Sequence, residues 1–344
     1  MNSLDSAGGL PSWLVVLLVI AAILAVLAVV NYVVAKLAER RHAPTGAFLE
    51  VNGARLHYSD RGTGRPVVLL HGNAVTGDDY NTSGVAERLV GTYRVVIFDR
   101  PGFGHSDRPR GHLWTAAEQA DLIQAALARL DVGPAVVVGH SWGTLVALAL
   151  AERHPGSASG LVLLAGYYFP VPRLDSLMVA PAAVPVLGDL LRYTISPVFG
   201  WLTMPLMKRA MFAPAPLTER FKREYSTALA LRPSQLRATA SDGALMMSDA
   251  AGLSPRYGDL SMPVAIVAGD GDKVVGPEHA ERLRGAVPNG TLRIVEGAGH
   301  MVHHVATQQV VEAIEEVAKR SEAASTDRAP ADGRSVAGRM PEGA

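Results

Sequence analysis

The chain has no cysteine, which excludes disulfides, thiolate metal sites, iron–sulfur clusters and a cysteine nucleophile. It has no net charge either, with 32 Lys plus Arg against 32 Asp plus Glu. It therefore lacks the basic excess by which nucleic-acid binders hold phosphate. The 34 glycines and 22 prolines follow no period, so collagen and repeat arrays are excluded. Only 19% of residues are charged while 49% are hydrophobic, which rules out a chain disordered as a whole. At 344 residues there is material for one or two domains with a sizeable core.

One long apolar run is present. From Trp13 to Val30 every residue is apolar, and after Asn31 and Tyr32 the run continues to Ala35. A helix over residues 13–35 is about 35 Å long, enough to cross a hydrocarbon core of about 30 Å. A cleaved signal peptide expects a basic leader and a shorter apolar core. Here the residues before Trp13 hold no Lys or Arg and one acid, Asp5. We therefore expect a single transmembrane anchor. Lys36, Arg40 and Arg41 follow the run, which under the positive-inside rule puts the following domain on the cytoplasmic side. Residues 321–344 are rich in Ala, Ser, Gly, Pro, Asp and Arg without apolar periodicity and read as a disordered tail.

Between the ends, strand and helix signals alternate. Phe48–Val51 and Leu56–Ser59 flank Asn52-Gly53, a hairpin signal. Short β-branched runs recur at Val67–Leu70, Arg94–Phe98, Ala135–Val138, Gly160–Leu164, Val264–Ala268 and Leu292–Val295. Helical stretches such as Thr115–Leu130 and Thr144–Arg153 separate several of them. Fully apolar strands spaced by helices predict a mostly parallel sheet covered on both faces. The alternation breaks over 167–259, which carries helix-like spacing and Met178, Met204, Met207, Met211, Met246 and Met247. That interval reads as a helical insertion whose methionines either fill its core or form an adaptable apolar lid.

Gly139-His140-Ser141-Trp142-Gly143 stands directly after the run Ala135–Val138 and before a helical stretch. G-x-S-x-G between strand and helix is a nucleophile elbow: a turn too tight for side chains two residues either side of the serine. A serine hydroxyl needs a base, held in turn by a third group. Gly269-Asp270-Gly271-Asp272 follows one later strand, and Gly297-Ala298-Gly299-His300 follows the last. Asp272 is expected to orient His300, and His300 to take the proton of Ser141. Asp270 is the rival acid, read as closing the turn. His303 and His304, one turn after His300, are expected on the surface of the last helix and are the alternative bases. The oxyanion hole needs two backbone donors, assigned here to Trp142 and Asn73, with Ala74 as neighbour to the latter. The segment from Asp99 to Ser106 reads as a structural turn, with Asp99 and Ser106 holding loops.

The ordered motifs HGN at 71–73, DRPGFGHS at 99–106, GHSWG at 139–143, and the GDGDKVV and GAGH segments resemble the α/β-hydrolase superfamily over about Phe48–Lys319. The resemblance implies an α/β-hydrolase fold with core segments 48–166 and 260–320 and a helical cap at 167–259. Gly276 stands where the superfamily often has proline. The HGN segment resembles haloalkane dehalogenases, which use an aspartate nucleophile; Ser141 makes alkyl-enzyme chemistry unexpected. The resemblance further implies a membrane-anchored serine hydrolase, like membrane-tethered monoacylglycerol lipases and carboxylesterases. It would cleave carboxylic esters with an apolar part and require no metal or organic cofactor. C–C bond hydrolysis, cofactor-free haloperoxidase or perhydrolase chemistry, acyl transfer and a non-catalytic binding role are the alternatives.

Overall fold

The computed structural model describes residues 10–172 and 180–328. Eight strands form one sheet: β1 (Ala47–Val51), β2 (Ala54–Arg61), β3 (Arg65–Leu70), β4 (Tyr93–Phe98), β5 (Ala135–His140), β6 (Ala158–Leu164), β7 (Val264–Gly269) and β8 (Gly290–Val295). Their order is β1-β2-β4-β3-β5-β6-β7-β8. The hairpin at Asn52-Gly53 makes β1 and β2 antiparallel, and β2 also runs antiparallel to β4. All remaining neighbours are parallel. At the hairpin tip both Asn52 (φ 47°) and Gly53 (φ 77°) are left-handed, the geometry of the tight turn their types favour.

Alternation along the strands feeds two cores. Val68, Leu70, Val96 and Val137 face the helices Ala116–Arg129 and Gly143–Arg153. Val67, Leu69, Val95, Val136 and Val138 face Val85–Leu89 and the long helix Thr307–Arg328. A parallel sheet needs both faces covered because each strand is apolar on both sides. Fully buried β5 shows this most clearly.

Between β6 and β7 the described residues carry helices and no strand: Leu187–Tyr193, Ile195–Phe212, Glu219–Glu224, Thr227–Ala230 and Pro233–Leu253. Met178 of the methionine set lies outside the described residues. Met204 is buried, whereas Met207 and Met247 are exposed.

The N-terminal helix spans Ser12–Arg41, longer than the apolar run itself. Its first turns stand clear of the body, and only Asn31, Ala35 and Ala38 are buried. Asn31 Nδ2 donates to the carbonyls of Tyr193 and Thr194 at 2.9 Å each. At the far end, the expected tail boundary needs correction. The last helix continues through 321–328, because Ser321 is buried and its hydroxyl donates to the carbonyls of Val317 and Ala318. Arg65 reinforces this end by donating to Ala318 O and Ser321 Oγ. Residues 329–344 lie outside the described residues.

Candidate active site

Ser141 sits between the end of β5 and the helix Gly143–Arg153, with φ +51°. A non-glycine residue in that region is strained and persists only where its surroundings over-determine it. Here they do. Ser141 N donates to Leu164 O of the neighbouring strand at 2.9 Å, and Thr144 Oγ1 donates to Ser141 O at 2.6 Å. A Cβ on Gly139 would lie 2.6 Å from Gly143 O, and one on Gly143 would lie 2.4 Å from Leu70 O. The two glycines flanking the serine are thus required by backbone closing on backbone.

The loop after β7 brings Asp272 and the loop after β8 brings His300 to the same end of the sheet. His300 Nδ1 is 2.8 Å from Asp272 Oδ2 and its Nε2 is 2.8 Å from Ser141 Oγ. The other Asp272 oxygen accepts from the amides of Val274 and Val275 at 2.8 and 2.9 Å. With Nδ1–H donating to the carboxylate, Nε2 is left to accept the serine proton. Asp270 does not reach this chain; its Oδ1 accepts from Gly297 N at 2.8 Å and closes the β7–β8 turns.

The loop after β3 lies against the elbow. A Cβ on Gly72 would be 3.0 Å from Ser141 Cβ, so only glycine lets Asn73 pass this close to the serine. Arg100, entirely buried, fixes the loop by donating to His71 O, Gly72 O and Asn73 Oδ1. Its guanidinium pairs with Asp242 of helix Pro233–Leu253 at 2.6 Å and lies over the rings of Phe103 and Trp142. Arg108 holds the other Asp242 oxygen at 2.9 Å, and Trp142 Nε1 donates to Asp242 O. His71 Nε2 accepts from Arg100 N, so its Nδ1–H points to Gly72 O. Burial, with Arg100 beside it, pushes the His71 imidazole down to about 4 and keeps it neutral. The Asp99 segment is indeed a structural turn. Asp99 accepts from the amides of Gly77 and His105 and from His57, and Ser106 Oγ donates to Asp99 O.

His303 and His304 correct the expectation of a surface position. Both are buried, and their Nε2 atoms lie 2.7 and 2.8 Å from the two oxygens of Asp79. The short helix Val302–Val305 is folded inward against the loop after β3, which satisfies a buried carboxylate with two imidazoles. These partners hold Asp79 well below the usual carboxylate range despite its burial. Asp79, His140 and His303 also bring one ligand atom each within 4.8 Å of one another. Both Asp79 oxygens are already taken by imidazoles, while the buried Nδ1 atoms of His140, His303 and His304 have no hydrogen-bond partner.

Asp242, Arg100 and Asp79 escaped sequence reasoning. Asp242 lies 142 residues from Arg100 and belongs to no motif. Asp79 follows the HGN segment closely, yet nothing local pairs it with histidines more than two hundred residues on.

A parallel sheet with an antiparallel edge, a serine at the strand–helix elbow, and an acid and a histidine on the loops after the last two strands define an α/β hydrolase. A family model described as the alpha/beta hydrolase fold matches residues 65–307, and the chain belongs to that family. Among curated relatives, it is 26% identical over 296 residues to the cis-3-alkyl-4-alkyloxetan-2-one decarboxylase of Shewanella oneidensis, covering 83% of this chain and 92% of that one. Among solved structures, it is similar to an esterase from Exiguobacterium antarcticum (TM-score 0.66, 20% identity, 80% of this chain and 100% of that one). It is also similar to a bacterial membrane phospholipase A (TM-score 0.63, 21% identity, 90% and 97% covered). The chain is therefore a hydrolase-family protein with esterases among its structural neighbours.

Proposed function

We propose that this chain is a membrane-anchored serine hydrolase cleaving carboxylic esters with an apolar acyl or alkyl part. The observation carrying this reading is the unbroken chain from Asp272 through His300 to Ser141, with both hydrogen bonds at 2.8 Å. Ser141 attacks the ester carbonyl while His300 Nε2 takes its proton and then returns it to the leaving alcohol. Asp272 holds the imidazole in the required tautomer and stabilises its charged form. The amides of Trp142 and Asn73 receive the developing oxyanion, an arrangement supported by the packing of Gly72 against Ser141. Water activated by His300 then releases the acid.

The apolar helix Ser12–Arg41 supplies the anchor, and Lys36, Arg40 and Arg41 favour a cytoplasmic catalytic domain. The substrate reading gains support from the relative named as an alkyloxetanone decarboxylase, since that name designates a four-membered lactone, a cyclic ester, bearing alkyl groups. The test is the full chain beside its Ser141→Ala variant on p-nitrophenyl esters of increasing acyl length. Serine-dependent turnover favouring medium or long chains is expected. A folded protein with no serine-dependent turnover on any ester contradicts the reading and returns weight to C–C cleavage or a binding role.

A further inference from the structure

The helix Ile195–Phe212 is apolar on the wrong side for a domain bathed only in water. Its inner face packs normally: Met204 lies against Ala230 and Leu231, and Gly200 lies against the Leu231 side chain. Its outer face repeats at Ile195, Phe199, Leu202 and Leu206, a helical stripe, and these side chains are 51, 58, 77 and 72% exposed. Leu187, Leu190 and Tyr193 of the preceding helix are exposed as well, and so is Trp201 on the flank of this one. Monomeric soluble proteins rarely present so many large apolar groups together without a partner surface.

The position of the patch says what that partner is. The N-terminal helix meets the body where Asn31 bonds to the carbonyls of Tyr193 and Thr194, immediately before Ile195. Eighteen residues separate Trp13 from Asn31, a rise of about 27 Å, close to the full hydrocarbon thickness of about 30 Å. The start of the stripe is thus pinned at the level where the anchor leaves the hydrocarbon. Charge agrees with this level. Between Asp189 and Glu219 the chain has no acidic residue, while Lys208 and Arg209 end the stripe and Arg40 and Arg41 end the anchor. Exposed Trp201 and Tyr193 are the side-chain types that settle at a bilayer surface.

We infer that the outer face of Leu187–Phe212 is seated in the lipid leaflet that the anchor enters, so that the cap is a second, monotopic membrane contact. This rests on the membrane-anchor part of the proposed function and assigns the face to lipid. The site end of the sheet is then held against the bilayer by two contacts rather than hung from one, and an apolar ester can reach it without crossing water.

Tryptophan quenching separates the two contacts. The full chain is reconstituted in phosphatidylcholine–phosphatidylglycerol vesicles whose acyl chains carry bromine, which quenches tryptophans in contact with it. Trp114 and Trp142 are buried at 5 and 1% exposure, leaving Trp13 and Trp201 as reporters. In the Trp13→Phe protein, quenching is expected and is lost on adding Trp201→Phe. Quenching of Trp13 in the Trp201→Phe protein with none of Trp201 in the Trp13→Phe protein would overturn the inference while leaving the anchor intact. No quenching of either tryptophan would instead remove the anchor reading and the inference with it. Unquenched Trp201 whose emission depends on the protein-to-lipid ratio would identify a second copy as the occupant and also overturn it. In parallel, Leu202→Asp with Leu206→Asp should leave hydrolysis of a water-soluble short ester unchanged and lower turnover of a vesicle-dissolved ester about tenfold or more. Equal losses on both would contradict the assignment.

Discussion

Arg100 and Asp242 meet at 2.6 Å with neither side chain exposed to solvent, and this pair joins the turn after β4 to the helix Pro233–Leu253. Breaking a buried pair leaves an uncompensated charge, at a cost of about 3–5 kcal/mol. Asp242→Ala is therefore expected to lower the unfolding midpoint strongly, since it strands both Arg100 and Arg108. Arg100→Lys should not rescue function, because an ammonium does not reproduce the fork that holds His71 O, Gly72 O and Asn73 Oδ1 together. Thermal unfolding and ester turnover measured on both variants check this. A wild-type midpoint for Asp242→Ala would contradict it.

The two aspartates after β7 should separate cleanly. Asp272→Asn keeps the shape but presents the wrong partner to His300 Nδ1, and kcat is expected to fall about 10³–10⁴-fold. Asp270→Asn touches one exposed turn hydrogen bond and should cost about 1 kcal/mol of stability or less, with turnover within a few-fold. Steady-state kinetics on the pair decide the matter, and an equal loss in both would reverse the assignment.

Stability should fall on the acid side, for a reason visible in the buried imidazoles. Burial lowers the pKa of His71 to about 4, and burial also lowers His140 and His303. A histidine held neutral in the fold stabilises it fully above the unfolded value near 6.5, and this is lost as pH falls toward the folded value. For His71 alone the contribution is of the order of 3 kcal/mol between about pH 6.5 and 4. Asp79, held low by His303 and His304, adds a loss of the same sign below the usual carboxylate range. Denaturant unfolding at pH 7, 6 and 5 should show a steady decline, shallower in a His71→Asn protein. A flat profile would contradict the assignment of these histidines as neutral.

The elbow glycines make a sharper demand. A methyl at Gly143 meets the Leu70 carbonyl oxygen at 2.4 Å, backbone against backbone, so Gly143→Ala is expected to destabilise by about 3 kcal/mol or more. Gly91→Ala, where nothing lies within 4 Å, is the control and should stay near the wild-type midpoint.

What could be read from the sequence was whatever local chemistry imposes. The apolar strands, the Asn52-Gly53 hairpin and the G-x-S-x-G turn each carry their reason within a few residues, and the structure places them as expected. The order of Ser141, Asp272 and His300 along the chain was legible because each follows a strand end. What escaped was set by distance. Asp242 has no motif, and its role exists only once the helix Pro233–Leu253 lies on Arg100. His303 and His304 read as surface residues because polar side chains near a helix start usually are; the buried Asp79 reverses that preference. The tail boundary failed similarly, since Ser321 looks like linker composition until its buried hydroxyl bonds are seen.

The central claim is that Ser141 becomes covalently acylated. Acid-quenching the full chain during turnover of a medium-chain p-nitrophenyl ester, then mapping the adduct by mass spectrometry, tests it directly. The account predicts an acyl group on the peptide containing Ser141, strongly reduced in His300→Ala, which lacks the base for the acylation step, and absent from Ser141→Ala. Turnover without any adduct on Ser141, or an adduct on another side chain, would contradict it.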